Sequence, residues 1–423
     1  MRNKKRSSGL LVLAVLALTL TMLAMFAGVA AAQTETVIHT FQSGSKMDGS
    51  QPASSLVADG EGALYGTTAE GGKYGFGSVY KLAPPATEGA AWKENLLYSF
   101  TGGADGGNPW FGALVLNSRN GTIYGTTRFG GSANAGVVYK LTPGRPWVES
   151  VVYSFSGGDD GKIPASGVIQ GPGGELYGTT MAGGPGGFGV VFRLSPPTEP
   201  GGAWTESTIY AFTGGSDGYE PLFGLALDRE GAIYGTTEGA GDSGSVFKLT
   251  PRSGGVWTES NLYYFNGDLG GLPNSALIFG SAGALYGAIG GSPLGLNGYI
   301  FQLTPPSAPG GAWTESTLHD FTGGPDDGSY PNGVIFDSAG ALYGATETGG
   351  ANYLCCGGYG TVFKIRPPSV PGGAWSENVL YSFAGGSDGY GPNAPLLLLG
   401  GTFYGTTLIG GTPNQGTVFS FTP

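Results

Sequence analysis

The sequence predicts an all-β fold, a seven-bladed β-propeller of four-stranded antiparallel blades, on three observations. An apolar-Tyr-Gly step recurs seven times, at Tyr65, Tyr124, Tyr177, Tyr234, Tyr286, Tyr343 and Tyr404, and about 52 to 61 residues separate successive tyrosines, near the upper end of the periods typical of repeat arrays. Each repeat divides into four short strand-like segments joined by turn residues. The two ends of the array complement one another. A length of 423 residues would by itself suggest two or three domains, but the repeat runs through residues 33–423 and argues for one.

Residues 1–32 read as a signal sequence. Arg2, Lys4, Lys5 and Arg6 form a basic start, Leu10 to Val29 is largely apolar, and Ala30-Ala31-Ala32 offers small residues for cleavage. The apolar stretch is also long enough to serve as an uncleaved anchor. Nothing later is apolar enough to span a membrane. Without the four bases of the signal, 15 bases face 30 acids, a net charge of −15. That disfavours nucleic acid and anionic membrane as partners. The 84 glycines suggest tight turns and not disorder, because 40% of the chain is hydrophobic.

The first strand is expected at Thr34 to Phe41. It aligns with the fourth segment of every later repeat: Glu35 matches Glu94, Glu149, Glu206, Glu259, Glu315 and Glu377. Residues 221–265 show a whole repeat. The apolar run Phe223–Leu227 suits a strand buried on both faces. Asp228-Arg229-Glu230-Gly231 is turn chemistry. Ala232–Thr237 is a second strand, Glu238–Gly244 a glycine-rich loop, Ser245–Thr250 a third strand and Trp257–Phe265 a more polar fourth. The chain stops after Gly416–Phe421, a third segment, so the last blade lacks its outer strand. Inserting residues 34–41 there closes a ring of seven and covers both edges. A β-solenoid is the structural alternative, but its repeats are usually shorter and it needs caps.

The repeat, as in Leu380-Tyr381-Ser382-Phe383-Ala384-Gly385-Gly386-Ser387-Asp388-Gly389 followed by Phe403-Tyr404-Gly405-Thr406-Thr407 and Gly416-Thr417-Val418-Phe419, resembles the Gloeo/Verruco ("GloVer") tandem-repeat family of bacterial proteins. The resemblance covers essentially all of residues 33–423. It implies an exported protein, since members often carry one of several C-terminal surface-anchoring signals. The sequence ends at Pro423 without a hydrophobic or sorting tail, so secreted or periplasmic residence is expected. The resemblance implies no catalytic residues.

Most side chains capable of chemistry recur with the repeat. Asp-Gly-x-x-Pro occurs at Asp48, Asp105, Asp160, Asp217, Asp327 and Asp388 and is replaced in repeat five by Leu269-Gly270-Gly271-Leu272-Pro273. These aspartates read as structural turn residues, because Asp accepts backbone hydrogen bonds and Gly permits positive φ. The Trp-x-Glu glutamates, and tryptophans Trp92, Trp147, Trp204, Trp257, Trp313 and Trp375, read as packing and inter-blade groups. His39 and His319 occupy the place held elsewhere by Tyr98, Tyr153, Tyr210, Tyr263 and Tyr381, so they read as variants of a repeated aromatic. Cys355 and Cys356 are adjacent. They would form either a vicinal disulfide or a free or intermolecular pair. Neither a metal nor a cofactor is expected.

The residues that do not recur are the better functional candidates. On the face bearing the Asp-Gly-x-x-Pro and Gly-Gly loops these are Tyr74, Trp110, Arg128, Tyr219, Tyr330, Tyr353 and Tyr390. Aromatics with a few polar neighbours suit a glycan or a cell-surface protein, and loops on a rigid scaffold are where binding concentrates. The expected function is a non-catalytic binding module. The alternative is a polysaccharide hydrolase or lyase using non-recurring acids such as Glu220, Glu238, Asp242 and Asp326. A purely architectural role is the third reading, and oligomeric state is not legible.

Overall fold

The computed structural model describes residues 34–42, 48–87, 89–199, 201–240, 243–265, 272–291, 296–308, 310–352, 357–370 and 372–423. The expected signal at 1–32 lies outside them. Glu35–Thr422 form one compact unit of seven sheets. Blade one is an antiparallel meander of Val57–Ala58, Leu64–Thr68, Ser78–Ala83 and Lys93–Ser99, running from the axis outward. Five further sheets keep this order, blade six with a longer inner strand, Gly328–Phe336. The seventh is composite: Tyr390–Pro392 and Leu397–Leu399 both pair with Thr402–Ile409, which pairs with Thr417–Thr422, and Thr34–Thr40 supplies the outer edge. The ring is a β-propeller closed by its own N-terminal strand, as the sequence predicts. The Phe41 amide donates to the Gly416 carbonyl at 3.1 Å to complete the join.

Strand ends differ from expectation near the axis. The inner strand expected over Phe223–Leu227 is only Ala226–Leu227, while the second runs Ile233–Ala240 and the third Ser243–Pro251. Ahead of its two rungs the inner segment bends away, and in two blades a serine side chain replaces the missing ladder bond. Ser54 Oγ accepts from the Thr67 amide at 3.1 Å, and Ser275 Oγ from the Ala288 amide at 3.0 Å. The apolar run thus lines the axis instead of filling a sheet.

The core explains the glycine of each apolar-Tyr-Gly step. Residues alternate across a strand, so this glycine faces the aromatic ring of the third strand. A Cβ on Gly66 or Gly125 would stand 2.4 Å from the hydroxyl of Tyr80 or Tyr139. On Gly178, Gly235, Gly287, Gly344 or Gly405 it would stand 2.5–2.6 Å from the ring of Phe192, Phe247, Phe301, Phe363 or Phe419. The same ring meets a phenylalanine from the end of the preceding blade's outer strand. These seven edge-on or tilted contacts, from Phe41–Tyr80 round to Phe383–Phe419, have centroids 4.9–5.3 Å apart. The outer strand slips register opposite this ring, as between Val191 and Phe192.

Two predictions follow from this packing. Gly178→Ala forces its methyl into Phe192 and should destabilise by about 1–3 kcal/mol, read as a lower urea midpoint. Tyr80→Phe should raise that midpoint by the equivalent of about 1 kcal/mol, because the fully buried Tyr80 hydroxyl has no hydrogen-bond partner and five blades carry Phe there. A midpoint unchanged by either substitution would contradict the packing argument.

Candidate functional site

Each Asp-Gly-x-x-Pro aspartate closes its own turn. Asp105, Asp160 and Asp217 accept from the amides of Thr101, Ser156 and Thr213 at 2.7–2.8 Å, and from the hydroxyls of Tyr98, Tyr153 and Tyr210 at 2.9–3.0 Å. Asp388 does the same with the Ala384 amide and the Tyr381 hydroxyl. The Asp48 carboxylate accepts from the Gln42 amide at 2.9 Å. These bonds hold the Asp160 and Asp217 carboxyls below the usual range against the upward push of burial. The tryptophans cross between blades: Trp92 packs edge-on to Tyr404, Trp204 to Tyr124 and Trp257 to Tyr177.

The candidate aromatics divide. Tyr74 is exposed, with the Lys73 ammonium 4.9 Å from its ring centroid. Tyr219 lies over the backbone of Gly239, where a Cβ would come within 1.9 Å of its ring. Tyr330 lies likewise over Gly291, and Tyr390 meets Tyr359 edge-on at 5.6 Å. Tyr219 and Tyr330 thus shield loop backbone, Tyr390 packs on a loop aromatic, and all three present only part of their rings. Tyr353, Cys355 and Cys356 lie outside the described residues, as does Asp242. Asp326 is exposed. Trp110 stands edge-on to Phe111 at 5.5 Å, and that contact leads to the axis.

The residues after each Asp-Gly-x-x-Pro proline, and after Pro273 in repeat five, descend to the axis and enclose a pocket of about 200 Å³, partly open to solvent. Its lining is asymmetric. Phe111, Val168, Leu222 and Phe223 make one side apolar, with Phe111 and Phe223 rings 6.3 Å apart, while Asn274, Asn332, Glu347 and Asn393 make the other polar. The amides trace to a trade between neighbours. Thr67 Oγ1 and Thr126 Oγ1 each donate to a carbonyl of the following blade, Pro109 O at 3.1 Å and Ser166 O at 2.8 Å. Blades five and six carry Ala288 and Ala345 at that place, and there Asn274 Nδ2 bonds Pro331 O at 3.0 Å while Asn332 Nδ2 bonds Pro392 O. The last blade keeps Thr406 and has Asn393 as well, so its clasp does not require the amide. Asn393 Oδ1 is buried without a hydrogen-bond partner. Burial also raises the Glu347 carboxyl above its ordinary value.

The position of Glu347, just after the second strand's Gly-x-Thr, holds Arg128 in blade two and Glu238 in blade four. Arg128 is half-buried, its Nε has no partner and its guanidinium lies 5.7 Å from the Phe129 centroid. Glu238 is pushed up to about 7 by burial first, then by the charge of Glu220 and a hydrogen bond with its carboxyl. Glu220 itself takes a positive φ of 53°. Sequence reasoning named Glu220 and Glu238 but missed Asn274, Asn332, Glu347 and Asn393. The signal was the dipeptide Pro-Asn, present in blades five to seven and absent from blades one to four.

The match to the model of the Gloeobacter/Verrucomicrobia repeat covers residues 88–293 and 279–423. The fold is that of a repeat propeller with an axial pocket, and the chain belongs to the Gloeobacter/Verrucomicrobia repeat family. No curated protein matches the sequence. Solved structures similar to it include a putative 6-phosphogluconolactonase from Bacteroides uniformis, at 14% identity and a TM-score of 0.49, covering 76% of this chain and 83% of that one. A protein of unknown function from Dyadobacter fermentans matches at 13% identity and a TM-score of 0.45, covering 93% of this chain and 99% of that one. The PQQ-bound aldose sugar dehydrogenase from Streptomyces coelicolor matches at 14% and 0.45, covering 75% and 92%. At these values the likenesses carry no argument about activity.

The half-buried glutamates predict a pH dependence of stability. Burial raises Glu35 and Glu149 from 4.5 to about 7, reinforced by Asp388 and Asp105 respectively, and Glu238 behaves alike. A carboxyl with a raised folded pKa stabilises fully below its unfolded value and loses that contribution as pH rises through about 7. The thermal midpoint should therefore fall between pH 5 and pH 8, and Glu149→Gln should flatten the decline. A midpoint that rises over this interval would refute the assignment.

Proposed function

We propose that the protein is an exported, non-catalytic binding module that takes the end of a glycan into the axial pocket. The observation that supports this reading is one cavity lined both by the Phe111–Phe223 aromatic wall and by polar groups that the scaffold leaves available, Asn393 Oδ1 foremost. A sugar ring has an apolar face for stacking and hydroxyls that donate to such acceptors. The exposed Tyr74 and the partly covered Trp110 lie on the Asp-Gly loop face, where a longer chain would emerge.

The hydrolase reading has less support. Glycosidase carboxylates stand about 5–9.5 Å apart to admit a sugar and a water. Glu220 and Glu238 are in hydrogen-bonding contact, too close for that work.

Incubation with soluble and insoluble polysaccharides, measuring retention and release of reducing ends, tests the proposal. Retention without release is expected, weakened about tenfold by Phe223→Ala and similarly by Asn393→Leu. Release of reducing ends would make the protein an enzyme. Retention unchanged in both variants would remove the axial pocket, and no retention at all would favour a surface protein as the ligand.

A further inference from the structure

Six of the seven grooves between blades share one frame; the groove after Tyr263 lacks it, because repeat five has no Asp-Gly-x-x-Pro motif. The outer strand of one blade supplies an aromatic residue, the following Asp-Gly loop an aspartate, and the next blade's outer strand a glutamate. Four grooves are closed by a tyrosine whose hydroxyl donates to the aspartate: Tyr98 to Asp105, Tyr153 to Asp160, Tyr210 to Asp217 and Tyr381 to Asp388. The facing glutamate keeps one oxygen buried without a hydrogen-bond partner at Glu35, Glu94, Glu149, Glu259 and Glu377. A frame of two carboxylates with an unused buried oxygen lacks only a third donor to hold a cation. A tyrosine hydroxyl bonded to the aspartate does not supply one. An imidazole does.

Histidine replaces the tyrosine in two grooves, at His39 and His319. In the second, His319 Nε2 lies 3.4 and 3.3 Å from the two oxygens of Asp327. Among the described residues His319, Asp327 and Glu377 are the one set of three ligand-type side chains whose donor atoms all fall within 4.8 Å of one another. Zinc holds such nitrogen and oxygen donors at about 2.0–2.2 Å, so small side-chain rotations would close the three around one ion. Asp327 is already oriented by the amides of Thr322 and Gly328 at 2.8 and 2.7 Å. The His319 side chain keeps 22% exposure, which leaves solvent access to a fourth position. In the other groove His39 Nε2 is buried without a hydrogen-bond partner, 3.6 Å from Asp48, and no third donor joins them within the same distance.

The geometry points to a divalent transition-metal site of the zinc class, formed by His319, Asp327 and Glu377, which pins blade five to blade six. One imidazole and two carboxylates suit Zn²⁺ or Co²⁺ better than Ca²⁺, which takes oxygen ligands alone.

The test uses untagged full-length protein treated with chelator and titrated with Zn²⁺ by calorimetry and with Co²⁺ by visible absorption. One equivalent of tight binding and a cobalt spectrum with nitrogen–oxygen coordination are expected, with a rise in thermal midpoint. His319→Tyr installs the residue that the fold already accepts in the other grooves, so it should fold normally while weakening binding at least about a hundredfold. Glu377→Gln should weaken binding too, and His39→Tyr should leave it unchanged. Equal binding in His319→Tyr, loss in His39→Tyr instead, absence of zinc binding, or a preference for Ca²⁺ would each overturn the assignment.

Discussion

Everything in this ring depends on the tip of an aromatic side chain lying where another side chain is missing. The glycine after each repeated tyrosine opens a space that the third-strand aromatic fills, and that aromatic in turn receives the phenylalanine of the blade before. The contact serves blade and neighbour together. It sets the spacing between second and third strands and the distance between successive sheets. The tyrosine beside the glycine faces the other way. In blade one its hydroxyl bonds Asp59 at 2.9 Å, and Lys81 lies over its ring, which ties the opposite turn to the sheet. One dipeptide therefore fixes both surfaces of a blade.

With those contacts repeated round the ring, the axis is free to vary. In blades one to five the inner strands have only two ladder rungs, so side chains help to hold these segments, and different blades solve the same bond differently. Threonine supplies the inter-blade donor in blades one and two, and asparagine supplies it in blades five and six. A substitution that is neutral for closure thereby changes the chemistry of the pocket wall. Recognition can diversify here without disturbing the aromatic contacts outside.

Most of the fold was legible because its causes are local and repeated. Strand order, the spare N-terminal strand and the meaning of the recurrent Asp-Gly turns all follow from aligning the chain with itself. The pocket was not, for two physical reasons. The run Phe223–Leu227 has the composition of a strand buried on both faces, yet most of it bends away to line the axis, and apolar content does not distinguish the two. Proximity across blades is also absent from a linear reading. Glu220 and Glu238 could be named as acids but not seen to lie beside one another, and His319 looked like a variant tyrosine until Asp327 and Glu377 came beside it. Tyr219, Tyr330 and Tyr390 stood out by composition, yet they spend much of their surface on glycine backbone and loop aromatics.

The strand that seals the ring has a consequence in time. Ser420 Oγ bonds the carbonyl of Thr36 across 384 residues of sequence. The first strand of the ring can pair only with the last. Until then it waits as an unpaired edge while six blades assemble behind it, and the circle gains its mutual support in a single late event. A chain interrupted near its end would hold six finished blades and two open edges.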